Sequence, residues 1–213
     1  DLHGGPHAMA GAGYSPFALA LANAGALVLR LNPRGSTGFG YDIVNGLADR
    51  WPGDEVADAR AAIDALIERG LADSNAISVI GYGAGAASAA ALRQADRRIG
   101  AAVLFCAGDS WLAGTSNPDA PLWSEWYAAR PFTTVTSRWW ERAAIQLRGS
   151  SPAPLLVVAG VANDLGVTHA REVSRQGTPV RVITMAGECA DAGPGTQAAV
   201  LEQASSWLLR SRE

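Results

Sequence analysis

Five residues, Gly81-Tyr82-Gly83-Ala84-Gly85, stand where a nucleophile is expected. An apolar run, Ile77, Val79 and Ile80, leads into them, and a small-residue stretch from Ala86 to Ala91 leads out. Strand, sharp turn and helix is the layout that presents a serine in a Gly-x-Ser-x-Gly turn. The outer glycines permit the strained turn and the close packing of helix on strand. The middle residue here is Gly83, which carries no hydroxyl and so no nucleophile. Acyl transfer at such a turn also needs a base to take the hydroxyl proton and a carboxylate to orient that base. The chain has three histidines, His3, His7 and His169, and none follows His169.

Other reactive side chains are few. Ser88 lies five residues beyond Gly83, inside the helix, where a small residue suits close packing. Cys189 would act as a nucleophile only beside a cation that lowered its pKa. Asp164 and His169 are near enough in sequence to pair as carboxylate and imidazole, or Asp164 is a solvated residue at a positive helix end. Candidate ligand contacts are Tyr82 and the Ala84 N–H at the turn, then Trp111, Trp123, Glu125, Trp126 and Tyr127. Five of the seven tryptophans (with Trp139 and Trp140) fall in residues 107–150. That density forms either a small core beneath a long loop or the wall of a ligand cleft or docking face.

The elements that must position these residues alternate along the chain. Ser15 caps a helix at Pro16–Asn23, with proline at its first position. Ala26–Leu31 reads as a short apolar strand. A glycine-rich turn, 32–40, and a weak helix, 41–49, follow. Asp54 caps an amphipathic helix at Glu55–Arg69. The strand at 77–80, the turn and a helix at 84–94 come next, then a strand at Ala101–Phe105. After the 107–150 excursion, strands at Pro154–Ala159 and Pro179–Met185 flank a helix at Thr168–Arg175, and a helix at Gln197–Arg210 closes the chain. Such alternation predicts one mostly parallel α/β sheet sandwiched by helices, with its ligand site at the carboxyl ends of the strands.

Composition narrows the function classes. At 213 residues, 48% hydrophobic and 17% charged, the chain suits a single domain with a buried sheet. A formal net charge of -3 offers no basic face for nucleic acid. No apolar run is long enough for a membrane span, and no metal-ligand or cofactor spacing is present. Cys106 and Cys189, far apart in sequence, read as two buried thiols in a reducing, cytoplasmic compartment.

In their order along the chain, HGGPHA (3–8), NPRGSTGFG (32–40), Trp51, Gly53, Asp54 and Asp58, the turn at 81–85 and PLLVVAG (154–160) resemble the C-terminal α/β-hydrolase domain of the prolyl oligopeptidase family of serine peptidases. The resemblance runs over nearly the whole chain. It implies an excerpt of a longer protein: Asp1-Leu2 would end a strand, and a propeller or other domain would precede it.

The resemblance also locates a triad. The serine position falls on Gly83. A pattern like H-G-x-x-D becomes Ala159-Gly160-Val161-Ala162-Asn163, which puts the acid on Asn163, or on Asp164 after a one-residue insertion. A pattern like G-E-x-H becomes Gly187-Glu188-Cys189-Ala190, which puts the histidine on Ala190. The family role of the HGGP loop, beside the oxyanion site, makes His3 and His7 structural, and Arg34 an anchor of its own loop by ion pairing. Trp123, Glu125, Trp126 and Tyr127 resemble a segment that helps line the family's substrate pocket. The expectation is a catalytically inactive relative that binds a peptide or small apolar ligand, or that pairs with an active paralogue, a biosynthetic enzyme or its own copy. The alternative is an active peptide or ester hydrolase with relocated residues drawn from Asp164, His169 and Cys189. Without a side chain at Gly83, the Ala84 N–H could also receive an anion or carbonyl.

Overall fold

The computed structural model describes residues 1–5, 7–48, 50–106, 151–160, 164–186 and 194–210. The tryptophan-rich excursion, Asn163, Cys189 and Ala190 lie outside the described residues. The helices are α1 (Pro16–Asn23), α2 (Tyr41–Asn45), α3 (Asp54–Glu68), α4 (Ala84–Ala95), α5 (Asp164–Arg175) and α6 (Pro194–Arg210). The strands are β1 (Ile77–Tyr82), β2 (Ile99–Phe105), β3 (Leu155–Gly160) and β4 (Val180–Met185), paired in the order β1-β2-β3-β4. All of these pairings are parallel. Parallel neighbours need a crossover, which α4 supplies between β1 and β2 and α5 between β3 and β4.

Side-chain alternation along the strands divides the core in two. Val79, Ala102, Leu104, Leu155 and Val157 face α3, α4 and α5, meeting Val56, Ala59, Ala86, Ala89, Leu92, Ala170 and Val173. Ile80, Val103, Phe105, Leu156 and Val158 face α1 and α6, meeting Leu21, Val200, Ala204 and Leu208. β3 is buried along its whole length, as its unbroken apolar run requires of a strand covered on both faces. The parallel α/β sheet sandwiched by helices that the alternation predicts is therefore present.

Several local expectations need correction. Residues 26–31 form no strand: Leu2 alone bridges Leu31 on one side and Gly81 on the other. A strand needs a ladder of hydrogen bonds, and among the described residues the run makes one bridge, at Leu31. Leu27, Leu29, Ile77 and Val79 instead border a cavity of about 290 Å³. The weak helix after the glycine turn stops at Asn45, and α5 begins at Asp164 rather than Thr168. The residue before α3 is Gly53, not a capping Asp54; the Glu55 carboxylate accepts the Gly53 N–H at 2.8 Å instead. Cys106 is disulfide-bonded, so it is not the buried thiol expected. Disulfides persist in oxidising compartments, so cysteine usage no longer argues for a reducing one.

Candidate functional site

The turn after β1 keeps the shape of a nucleophile elbow. Gly83 has φ 54 and ψ -115. Its N–H donates to the Phe105 carbonyl at 2.9 Å, and its carbonyl accepts the Ala86 N–H at 3.0 Å. The flanking glycines are there for space. A Cβ on Gly81 would run into the Gly85 carbonyl, and one on Gly85 into the carbonyls of Leu2 and His3. At Gly83 the nearest neighbour of such a Cβ is the Gly4 Cα, 4.0 Å away. The centre of the turn thus has room for a side chain that the sequence does not supply, and glycine holds the positive φ at little cost.

The loops around the elbow are tied down by polar contacts. The His3 ring bonds to the Gly4 carbonyl at 2.7 Å and the buried Ser36 hydroxyl at 2.9 Å, and His7 bonds to the Gly35 carbonyl at 2.9 Å. Asn32 pairs with both backbone groups of Ala10. Arg34 donates to both Asp58 oxygens, with its shortest contact 2.7 Å, and to the Asp54 carboxylate at 3.1 Å. The hydrogen bond to Asp58 holds the Arg34 guanidinium further into its charged form. Burial works to raise the Asp58 carboxyl, but the hydrogen bonds from Arg34 outweigh it and hold the group below its ordinary value.

Ser88 is 3% exposed and belongs to a buried network. Its hydroxyl donates to Glu55 Oε1 at 2.7 Å and accepts from Trp51 Nε1 at 3.2 Å. Burial raises the Glu55 carboxyl, opposed by the bonds from Ser88 and Gly53. The space among His3, Arg34, Glu55, Ala84 and Ser88 is about 20 Å³, enough for a single water. This hydroxyl–carboxylate pair fastens α4 to the start of α3.

His169 lies on α5, within the electrostatic reach of the Arg93 guanidinium. Arg93 is near the last turn of α4, roughly 13 Å along the helix axis from Ala84. Burial and the neighbouring cation pull the imidazole down to about 4, so at neutral pH it is uncharged and a weak base. Arg93 is itself 2% exposed and donates to the carbonyls of Ser151 and Ala153. Asp164 opens α5.

Two of these arrangements were not read from the sequence, although a signal for each was there. Glu55 stands four residues before the buried Ala59, on the same helix face. Arg93 stands four residues after the buried Ala89, in a helix that is apolar almost all round. Among the described residues, no three His, Cys, Asp or Glu side chains converge as a metal would require. No described helix is long and apolar enough to cross a membrane.

A model of the prolyl oligopeptidase family matches residues 14–210. The uncharacterized peptidase YuxL of Bacillus subtilis is 28% identical over 166 residues, which is 77% of this chain and 25% of that protein. Dipeptidyl aminopeptidase BIII of Pseudoxanthomonas mexicana is 32% identical over 184 residues, 79% of this chain and 25% of that protein. Among solved structures, a puromycin hydrolase superposes with a TM-score of 0.87 at 23% identity, covering 99% of this chain and 33% of that one. An acylaminoacyl peptidase of Pyrococcus horikoshii does so at 0.83 and 20%, covering 98% and 36%. The chain thus spans about a quarter to a third of the length of the proteins it resembles.

Proposed function

The chain belongs to the prolyl oligopeptidase family, and from that premise we propose that it is a member that has given up peptide-bond cleavage and serves as a binding subunit. The observation that carries this reading is Gly83. The elbow has the backbone of a working nucleophile turn and open space at its centre, but no hydroxyl. Loss of a nucleophile alone lowers a triad enzyme by several orders of magnitude, leaving the background from binding and the oxyanion donors. The sequence adds Ala190 at the histidine position and no histidine beyond His169.

Relocated chemistry has weaker support. Ser88 is shut from solvent by Trp51 and Glu55, and His169 is held beside a buried arginine. The occupant of the site is a peptide or small apolar molecule, and a protein partner such as an active paralogue or a second copy fits the same scheme. Intact-mass analysis after exposure to a fluorophosphonate tests the loss of chemistry. The wild type is expected to stay unmodified. A stoichiometric adduct would overturn the reading, and peptide mapping would name the residue that replaced the serine.

A further inference from the structure

A second cavity, of about 450 Å³, opens beside the elbow on the sheet face covered by α1 and α6. Its wall is an aromatic corner. Tyr82 stacks on Phe105 at 6.4 Å between ring centroids, and Phe17 meets Phe105 edge-on at 5.8 Å. Both methionines of the chain, Met9 and Met185, line the same cavity, opposite Val200 of α6. Phe105, Met185 and Val200 are buried, whereas Tyr82 and Met9 are exposed. The cavity therefore has a closed apolar floor and an adaptable mouth. Methionine at both levels suits contact with a flat apolar group, because a thioether packs well against ring faces and edges.

One end of the cavity is charged. Arg30 and Asp1 line it, with Arg30 Nε 3.8 Å from the Asp1 carboxylate, beyond hydrogen-bonding distance. Arg30 Nη1 donates to the carbonyls of Gly11 at 2.8 Å and Gly13 at 3.2 Å, which fixes the guanidinium. Its Nε–H is buried out of a ligand's reach and has no acceptor among the described residues, so the group acts on the cavity through its charge. A fixed cation at the wall of an apolar cavity attracts a ligand that carries a carboxylate, because its field is less screened there than in water. The nearby Asp1 carboxylate repels a second negative charge, which favours a monoanion over a phosphate. A volume of this size suits a small molecule, with one charged group fixing the orientation of an apolar body.

We propose that this cavity binds a small aryl- or alkyl-carboxylate, its apolar body against Tyr82, Phe105 and the methionines and its carboxylate turned toward the charged Arg30 end. The proposal rests on the reading that the chain binds without cleaving, and it names the ligand class.

With two methionines, the protein labelled with ¹³C at the methionine methyls gives two signals, both in the cavity wall. Titration with 4-phenylbutyrate is expected to move both signals saturably, with millimolar or tighter affinity, while 4-phenylbutan-1-ol binds about tenfold more weakly, a difference of about 1.4 kcal/mol. Arg30→Gln is expected to erase that preference and leave the alcohol's affinity unchanged. Val200→Trp fills the cavity from α6 and is expected to abolish the shifts. Leu201→Trp is run beside it, so that one folded variant, checked by its melting transition, is in hand. No shift at either methyl up to about 10 mM ligand, well past the millimolar range, overturns the site. Equal binding of acid and alcohol overturns the role of Arg30. Hydrolysis of methyl 4-phenylbutyrate, followed in the same samples, reports separately on chemistry. Turnover there contradicts the loss of catalysis without touching the methyl shifts.

Discussion

The two ends of α4 make opposite use of their residues. At the N-terminal end, backbone shape is kept and chemistry is missing: the elbow bends as a nucleophile turn bends, around a residue with no side chain. At the C-terminal end, chemistry-bearing residues are present and hold structure. Arg93 fastens the segment through Ser151 and Ala153, and burial together with the Arg93 charge keeps the His169 ring neutral. Side-chain type alone would have placed function at the second end. The positive φ and the open space at Gly83 support the proposal that it lies at the first. Titratable residues that are buried and paired belong as readily to the frame as to a reaction.

Substitutions can sharpen or break this contrast. The largest effect belongs to Gly85→Ala. A Cβ there strikes the Leu2 and His3 carbonyls, which as backbone have little freedom to withdraw, so the loss should exceed about 4 kcal/mol and appear as failure to fold. A Gly85→Ala protein with near-native melting would show that the elbow is not tightly packed. Next comes Arg93→Ala, which leaves the Ser151 and Ala153 carbonyls without their partner and should cost about 3 kcal/mol in urea unfolding.

His169 predicts a pH effect. Its folded value of about 4 lies below the ordinary value of 6.5, so the unfolded chain binds the proton more readily in between. The stability it contributes is full above about pH 6.5 and is lost as pH falls toward 4, on the order of 3 kcal/mol. His169→Phe should flatten the stability–pH curve in that window. An unchanged slope would mean the ring is not held neutral. The smallest effect belongs to Gly83→Ser, where open space leaves only the positive φ to oppose the side chain, about 1 kcal/mol. A loss as large as that at Gly85 would remove the distinction between the turn's centre and its flanks.

Much of this was legible before the structure. Apolar runs such as Leu155–Ala159 and the glycine turn at 81–85 are local signals, and they gave the sheet and the elbow. The Arg34 anchor was legible as well, because Arg34 and Asp58 stand in recognisable surroundings. What failed depended on distant partners. The run at 26–31 has strand composition, but among the described residues it makes a single bridge, at Leu31. Glu55 reads as a first-turn acid, and only the arrival of Ser88 and Trp51 from other segments makes it a buried network. The disulfide at Cys106 follows from no spacing rule in the sequence. Tyr82 was a candidate contact from its place in the turn, whereas its alignment with Phe17, Phe105 and both methionines emerges only when α1 and α6 close on the sheet.

The most direct test of the central claim is hydrolysis of a panel of peptidyl and ester chromogenic substrates by the wild type and by the Gly83→Ser, Ala190→His double variant. The account predicts no turnover above the uncatalysed rate for the wild type and weak but measurable turnover for the double variant, since the elbow has space for the missing hydroxyl. Wild-type turnover that persists through active-site titration would contradict it and would mean that the chain cleaves its substrate with residues other than those of the vacant triad.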